Sequence, residues 1–170
     1  MNIFITTGTY DFMKKIKEKH ASEKILLMEN SEGATLLHET TRKTIFQSPR
    51  KYEVIDAWGE LADYGCVMLH HIPVTDQGRP IFEYRFKNRE RTIEGMPGFM
   101  AIRVMRPLNS DTYAVLTQWK DQQSLKNWQD SKDFKQIHGN NQSEAGVNNQ
   151  PKIFSSPSYV TTYIVPTEED

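Results

Sequence analysis

The sequence predicts an α+β protein whose antiparallel sheets carry helices packed on the outside, and three observations predict it. Short runs rich in β-branched and aromatic residues recur between turn residues, as in Asn2-Ile-Phe-Ile-Thr6 and Phe99-Met-Ala-Ile-Arg-Val-Met-Arg106. Two segments, 10–19 and 81–91, instead place apolar residues at helical spacing. The element order is β-α-β-β-β over the first part of the chain and β-α-β-β-α-α-β over the rest. Such an order suits sheets with helices kept to one face.

Taken in order, residues 2–6 form the first strand, and Gly8 and Thr9 turn the chain. The helix over 10–19 faces Phe12 and Ile16 inward, with Met13 beside them, and Lys14, Lys15, Lys17 and Lys19 toward water. Strands are expected over 25–29, 34–39 and 44–47, separated by turns at 30–33 and 40–43. His38 ends a strand and reads as a half-exposed polar residue. Ser48-Pro49 breaks the pattern. Residues 52–61 then read as a short helix or an irregular connector, with Val54, Ile55 and Trp58 packed inward. A boundary near residue 61 divides the chain into 1–61 and 62–170.

Residues 65–74 open the second part as a strand, on which the adjacent His70 and His71 point to opposite faces. Pro80 suits a helix start, and 81–91 carries Phe82, Arg85, Phe86 and Arg89 at helical spacing. Residues 99–106 and 112–119 make a hairpin. Asp121 caps a short helix in which Leu125 and Trp128 share a face. Ser131 caps a second helix whose apolar stripe is Phe134, Ile137 and His138, and Gly139 ends it. Residues 140–150 are an amide-rich loop and 158–165 a last strand.

The stretch 119–139 therefore sets one indole and one imidazole, ten positions apart, on the inward faces of consecutive helical segments. That pair can receive a flat apolar ligand with a metal centre. On the residues alone, Trp128 reads first as a core residue, and His138 as a helix-end residue favoured by the negative end of the dipole.

The totals narrow the function classes. The 170 residues allow one large domain or two small ones, and the net charge of −1 gives no field toward nucleic acid or an anionic membrane. Cys66, the lone cysteine, permits no internal disulfide and no cysteine-built zinc site, which fits a reducing cytoplasm. The first residues do not read as a signal peptide, and no window approaches the roughly 18 apolar residues of a membrane helix.

Three stretches carry a resemblance: Ile93-Glu-Gly-Met-Pro-Gly-Phe99, Val115-Leu-Thr-Gln-Trp-Lys120 and Asn127-Trp-Gln-Asp-Ser-Lys-Asp-Phe-Lys-Gln-Ile-His138. With them, residues 65–165 resemble the antibiotic-biosynthesis-monooxygenase type of domain, specifically the IsdG-like haem-degrading monooxygenases. Tyr52-Glu-Val-Ile-Asp-Ala-Trp-Gly-Glu60 extends the likeness to the longer HmoB type. The TRAP family (target of RNAIII-activating protein) shares the layout but lacks the Trp–His pair.

The resemblance implies two fused ferredoxin-like halves in one chain, packed like the dimeric α+β barrel of shorter relatives, and hence a monomer. It implies one haem per chain, with haem as both cofactor and substrate, O2, an external electron donor and a partner reductase. The products are iron and an opened tetrapyrrole. By the same resemblance His138 ligates the iron and Trp128 bends the macrocycle, with Phe134 and Ile137 lining it. Val67, Leu69, Val104 and Leu116 are candidate strand walls. A family Asn on the first strand of the domain falls, by counting back from Glu83-Tyr-Arg-Phe86, on His70. His70 is then a hydrogen-bond donor to the pocket, a second iron ligand or a core residue, and His71 is structural. Two other classes stand beside the haem-degrading enzyme. One is a non-enzymatic haem-binding or regulatory protein of the TRAP type. The other is a cofactor-free monooxygenase acting on an aromatic substrate.

Overall fold

The computed structural model describes residues 1–88, 92–135 and 153–167. The strands are β1 (Asn2–Gly8), β2 (Ile25–Asn30), β3 (Gly33–Thr40), β4 (Arg50–Trp58), β5 (Cys66–Pro73), β6 (Phe99–Pro107), β7 (Thr112–Trp119) and β8 (Tyr159–Ile164). The helices are α1 (Tyr10–Lys19), α2 (Arg79–Lys87) and α3 (Gln122–Gln129), with a 3-10 turn over Thr92–Gly95. The strands close into one antiparallel barrel in the order β1-β3-β2-β8-β5-β7-β6-β4. Read around the ring, β4-β1-β3-β2 and β8-β5-β7-β6 are two runs of the same ferredoxin-like order. The first run lacks a helix between β3 and β4, so its outer face is covered by α1 and by Ile45 and Phe46 of the connector. Among the described residues no helix is long and apolar enough to cross a membrane.

Strand alternation sorts the core into an inside and two outsides. Ile3, Ile5, Leu26, Met28, Leu37, Val67, Leu69, Met105, Ala114 and Leu116 fill the barrel. Phe4, Ile25, Leu27, Leu36 and Phe46 pack beneath α1, with Met13. Met68, Ile72, Ile102, Val104, Val115 and Trp119 pack beneath α2 and α3, with Phe82, Leu125 and Trp128.

Several expectations are corrected here. In α1 the buried contact is Met13, about 100° around the helix from Phe12, which is 60% exposed. Residues 44–47 are not a strand. The Thr44 hydroxyl accepts from the backbone N of Phe46 at 3.1 Å, and this local bond competes with a sheet ladder. His38 is not half-exposed but fully buried at 0%, lodged between Phe4 and Phe46, with Nε2 3.1 Å from Glu23 Oε2. That bond, with Arg42 nearby, holds the Glu23 carboxyl below the usual range. Residues 52–61 are neither helix nor connector at their start, because Arg50–Trp58 is a strand. Its register slips between Val54 and Asp56, so alternation fails at a bulge, and Ile55 packs outside while Tyr52 and Val54 face inside. Trp58 ends this strand 44% exposed rather than packed inward.

Two polar features sit within the barrel. At one end Arg103 meets Glu39, Nε to Oε2 at 2.7 Å, and its other nitrogens donate to the carbonyls of Trp58, Gly59 and Ile102. Gln118 nearby bonds Ala62 N, Ala62 O and Tyr64 O, tying down the connector from β4 to β5. His71, of the inward parity, lies 3.0 Å from Thr161 Oγ1 and stacks on Tyr159 at 4.5 Å.

Burial, helped by the Arg50 charge, pushes His71 down to about 4. The folded protein thus keeps the ring neutral where an unfolded chain, titrating near 6.5, takes up a proton. This contribution is full above pH ~6.5 and drains as pH falls toward ~4, by about 3 kcal/mol in all. Urea midpoints against pH check it: the gap between wild type and His71→Gln narrows on acidification, and a gap independent of pH refutes it.

Candidate functional site

The outer face of β5, β6 and β7 beneath α3 holds the predicted Trp128 and His70. Asp121 caps α3 by accepting from Ser124 N at 2.9 Å, a bond that lowers its carboxyl. The helix N-terminus rests on Gly98, whose φ is +82° and whose added Cβ would lie 2.1 Å from Ser124 Oγ. Only glycine satisfies both demands. Lys120 N then donates to Gly98 O at 2.9 Å, which locks the turn. After α3, Ser131 donates to Trp128 O at 2.6 Å and accepts from Phe134 N at 3.2 Å. It caps the next helical turn, residues 132–135, as its position predicts.

Three of the predicted site residues come together. Trp128 is 5% exposed and meets Phe134 edge-on at 5.9 Å. Phe134 in turn meets His70, 4% exposed, at 6.1 Å. Trp128 also stacks on Trp119 at 6.1 Å with 24° between planes. The buried Trp128 Nε1 has no hydrogen-bond partner among the described residues. His138 and Ile137 lie outside the described residues, as does Gly139.

The strand walls are corrected in part. Val67, Leu69 and Leu116 face into the barrel and not toward α3. The alternation that turns His70 outward turns them inward. Val104 does lie on the outer face, in the buried cluster that also holds Trp128, Met68, Ile72 and Val115. His71 points away from the site, as expected.

Two neighbourhoods escaped the sequence reading. Glu83 on α2 accepts from Arg106 Nε at 2.9 Å and from the Tyr113 hydroxyl. Arg106 holds the Glu83 carboxyl below its usual range, while burial and that carboxylate raise Tyr113. These partners are far apart in sequence, so no spacing announces them. In the first half, a cavity of about 330 Å³ opens among Lys14, Lys17, Lys24, Leu26, Leu37 and Leu61. It includes none of the predicted site residues.

Residues 67–140 match the antibiotic biosynthesis monooxygenase family. This monooxygenase-type region contains both β5 and α3, and so the whole described site. Over 160 residues the chain is 22% identical to a heme-degrading monooxygenase of Listeria monocytogenes, covering 92% of this chain and 95% of that one. It is also 24% identical over 132 residues to the signal transduction protein TRAP of Staphylococcus aureus, covering 78% and 79%. Among solved structures, a major regulator of staphylococcal pathogenesis superposes with a TM-score of 0.88 at 20% identity, over 98% of this chain and all of that one. A heme-degrading enzyme from Listeria monocytogenes superposes at 0.75 and 22% identity, over 98% and 100%. At these identities the superpositions establish the fold. The monooxygenase-type region is thus shared with an enzyme and with a regulator.

Proposed function

We propose that the protein is a haem-degrading monooxygenase that binds haem beneath α3 and opens the porphyrin ring, releasing iron. The observation that carries this reading is the meeting of Trp128, Phe134 and His70 on one apolar face, with a buried indole N–H left without a partner among the described residues. A buried polar group so placed costs about 1–3 kcal/mol, which a ligand acceptor in the slot removes. The walls suit a large apolar disc, since Met68, Ile72, Val104 and Val115 are all buried there. The fit is one of chemistry: an apolar face carrying one buried donor that a ligand acceptor can meet.

Bound haem supplies the iron at which O2 is activated with electrons from an external donor, and it is also the molecule consumed. In this reading His138 coordinates the iron as a neutral imidazole, its other ring nitrogen oriented by an acceptor. Trp128 would lie against the disc and set its position, where positioning has the most leverage on rate. Phe134, between Trp128 and His70, would line the disc's edge. His70 faces the slot from β5 and donates a hydrogen bond into it. We read the enzyme as a cytoplasmic monomer served by a reductase; the closed barrel, which unites both halves in one chain, supports the monomer.

Haemin titration tests this. A Soret band that saturates near one equivalent and bleaches with ascorbate while iron is released supports the enzyme. A stable band supports a second reading, a haem-binding or regulatory protein of the TRAP type. That reading is favoured by the 24% identity to the signal transduction protein TRAP over 78% of this chain. With no band, both haem readings fail. Trp128→Phe is expected to leave haem affinity nearly unchanged and to slow bleaching about tenfold. Equal bleaching rates in stopped flow would remove the indole from the chemistry.

A further inference from the structure

We propose that Trp128, Trp119 and Trp58 form a one-electron relay that carries oxidising equivalents from the slot to the surface. The proposal rests on the haem reading only for the identity of the natural oxidant. The three tryptophans of the chain lie in one series of touching rings. Trp128 stacks on Trp119 at 6.1 Å and 24°, Trp119 meets Phe99 at 5.3 Å, and Phe99 stacks on Trp58 at 5.4 Å and 24°. The series begins in the dry interior, with Trp119 at 0% and Trp128 at 5% exposure, and ends at Trp58 in water.

Solvation sets the direction. A radical cation on Trp128 or Trp119 sits among apolar side chains, whereas on Trp58 it is hydrated, so the charge runs downhill outward. Proton loss does not arrest it inside. Trp128 Nε1 has no acceptor among the described residues, and Trp119 Nε1 faces only the weakly basic Thr117 hydroxyl at 3.0 Å. Phe99 serves as a bridge between two indoles and is not itself oxidised.

The electron count closes. A peroxide-activated one-electron oxidant held beneath α3 would take one electron from Trp128. Trp119 refills Trp128, and Trp58 refills Trp119. An ascorbate- or thiol-class reductant in solution gives Trp58 one electron and releases its own proton to water. No bond in the protein is made or broken, and an oxidant left unused by the porphyrin does not damage the site.

Two arms test the relay. In the first, the haemin-loaded protein receives one equivalent of hydrogen peroxide with a nitrone spin trap, and peptide mass spectrometry locates the adduct. In the second, haem-free protein carries a ruthenium photo-oxidant on Lys132→Cys, four positions past Trp128, and is flashed with a cobalt(III) quencher. Native Cys66 is buried and its thiol is pushed up to about 11, so only the new thiol labels. The expected adduct is on Trp58 in both arms. Trp58→Phe, a surface change, is expected to shift oxidation back onto Trp119 and Trp128, raising it severalfold with the Soret band unchanged. Adducts on the exposed Tyr64 or Tyr84 instead of Trp58, or no rise at Trp128 in Trp58→Phe, overturn the relay. Absence of a Soret band sinks the haem reading alone, because the photo-oxidant arm still decides the relay.

Discussion

Arg103→Ala is expected to lower the unfolding free energy by about 3–5 kcal/mol. The guanidinium is nearly inaccessible, as is its partner Glu39, each side chain being 5% exposed. Three backbone carbonyls also lose their donor, two of them at the exit from β4. Removing the cation leaves an unpaired carboxylate inside the barrel, with Lys24 Nζ 3.4 Å from its other oxygen as partial relief. For a chain of this size the melting temperature falls by roughly 10 °C. The double substitution Glu39→Met with Arg103→Met recovers most of the loss, since a buried pair exchanged for apolar side chains is often neutral. Urea unfolding of the three proteins checks the argument. A single-variant loss below about 1 kcal/mol would show that water reaches the pair.

The second large effect is on ligand affinity. His138→Ala is expected to weaken haemin binding about 100-fold, roughly 2.7 kcal/mol, because the proposed iron–nitrogen bond goes with the side chain. Added imidazole should restore part of the lost Soret intensity by entering the vacated space. Unchanged affinity would move the ligand elsewhere, and His70, on the strand face opposite α3, becomes the residue to replace next. Spectra of the wild-type complex separate one nitrogen ligand from two, which decides whether His70 also reaches the iron.

Much of this architecture was legible because it rests on local rules. Asp121 and Ser131 were placed as caps by residue type and spacing, and each makes that bond. The opposed directions of His70 and His71 follow from strand alternation alone. What failed needed knowledge of a neighbour in space. The bulge at Ile55 erased the alternation that marks β4, so a strand read as an irregular segment. His38 looked like a polar strand end because its partners, Glu23 and Thr44, come from segments on either side of β3. Val67, Leu69 and Leu116 were assigned to the wrong side because a closed barrel has two apolar faces, and composition does not tell them apart. Trp119 was noticed only as the end of a strand. Its stacking on Trp128 depends on how α3 folds back over the hairpin, and its edge-on contact with Phe99 on how the hairpin begins.

The barrel wall is uneven in a way that bears on how the molecule breathes. β8 pairs with β5 at six positions from Cys66↔Ile164 to His71↔Tyr159, but its other edge meets β2 at the single pair Glu29↔Ile164. One side-chain bond, from Asn30 to the Thr162 carbonyl, stands beside that pair. A hoop gives first at its weakest stave. Thermal opening should therefore unzip here, parting the two lobes along one line while every other seam stays shut.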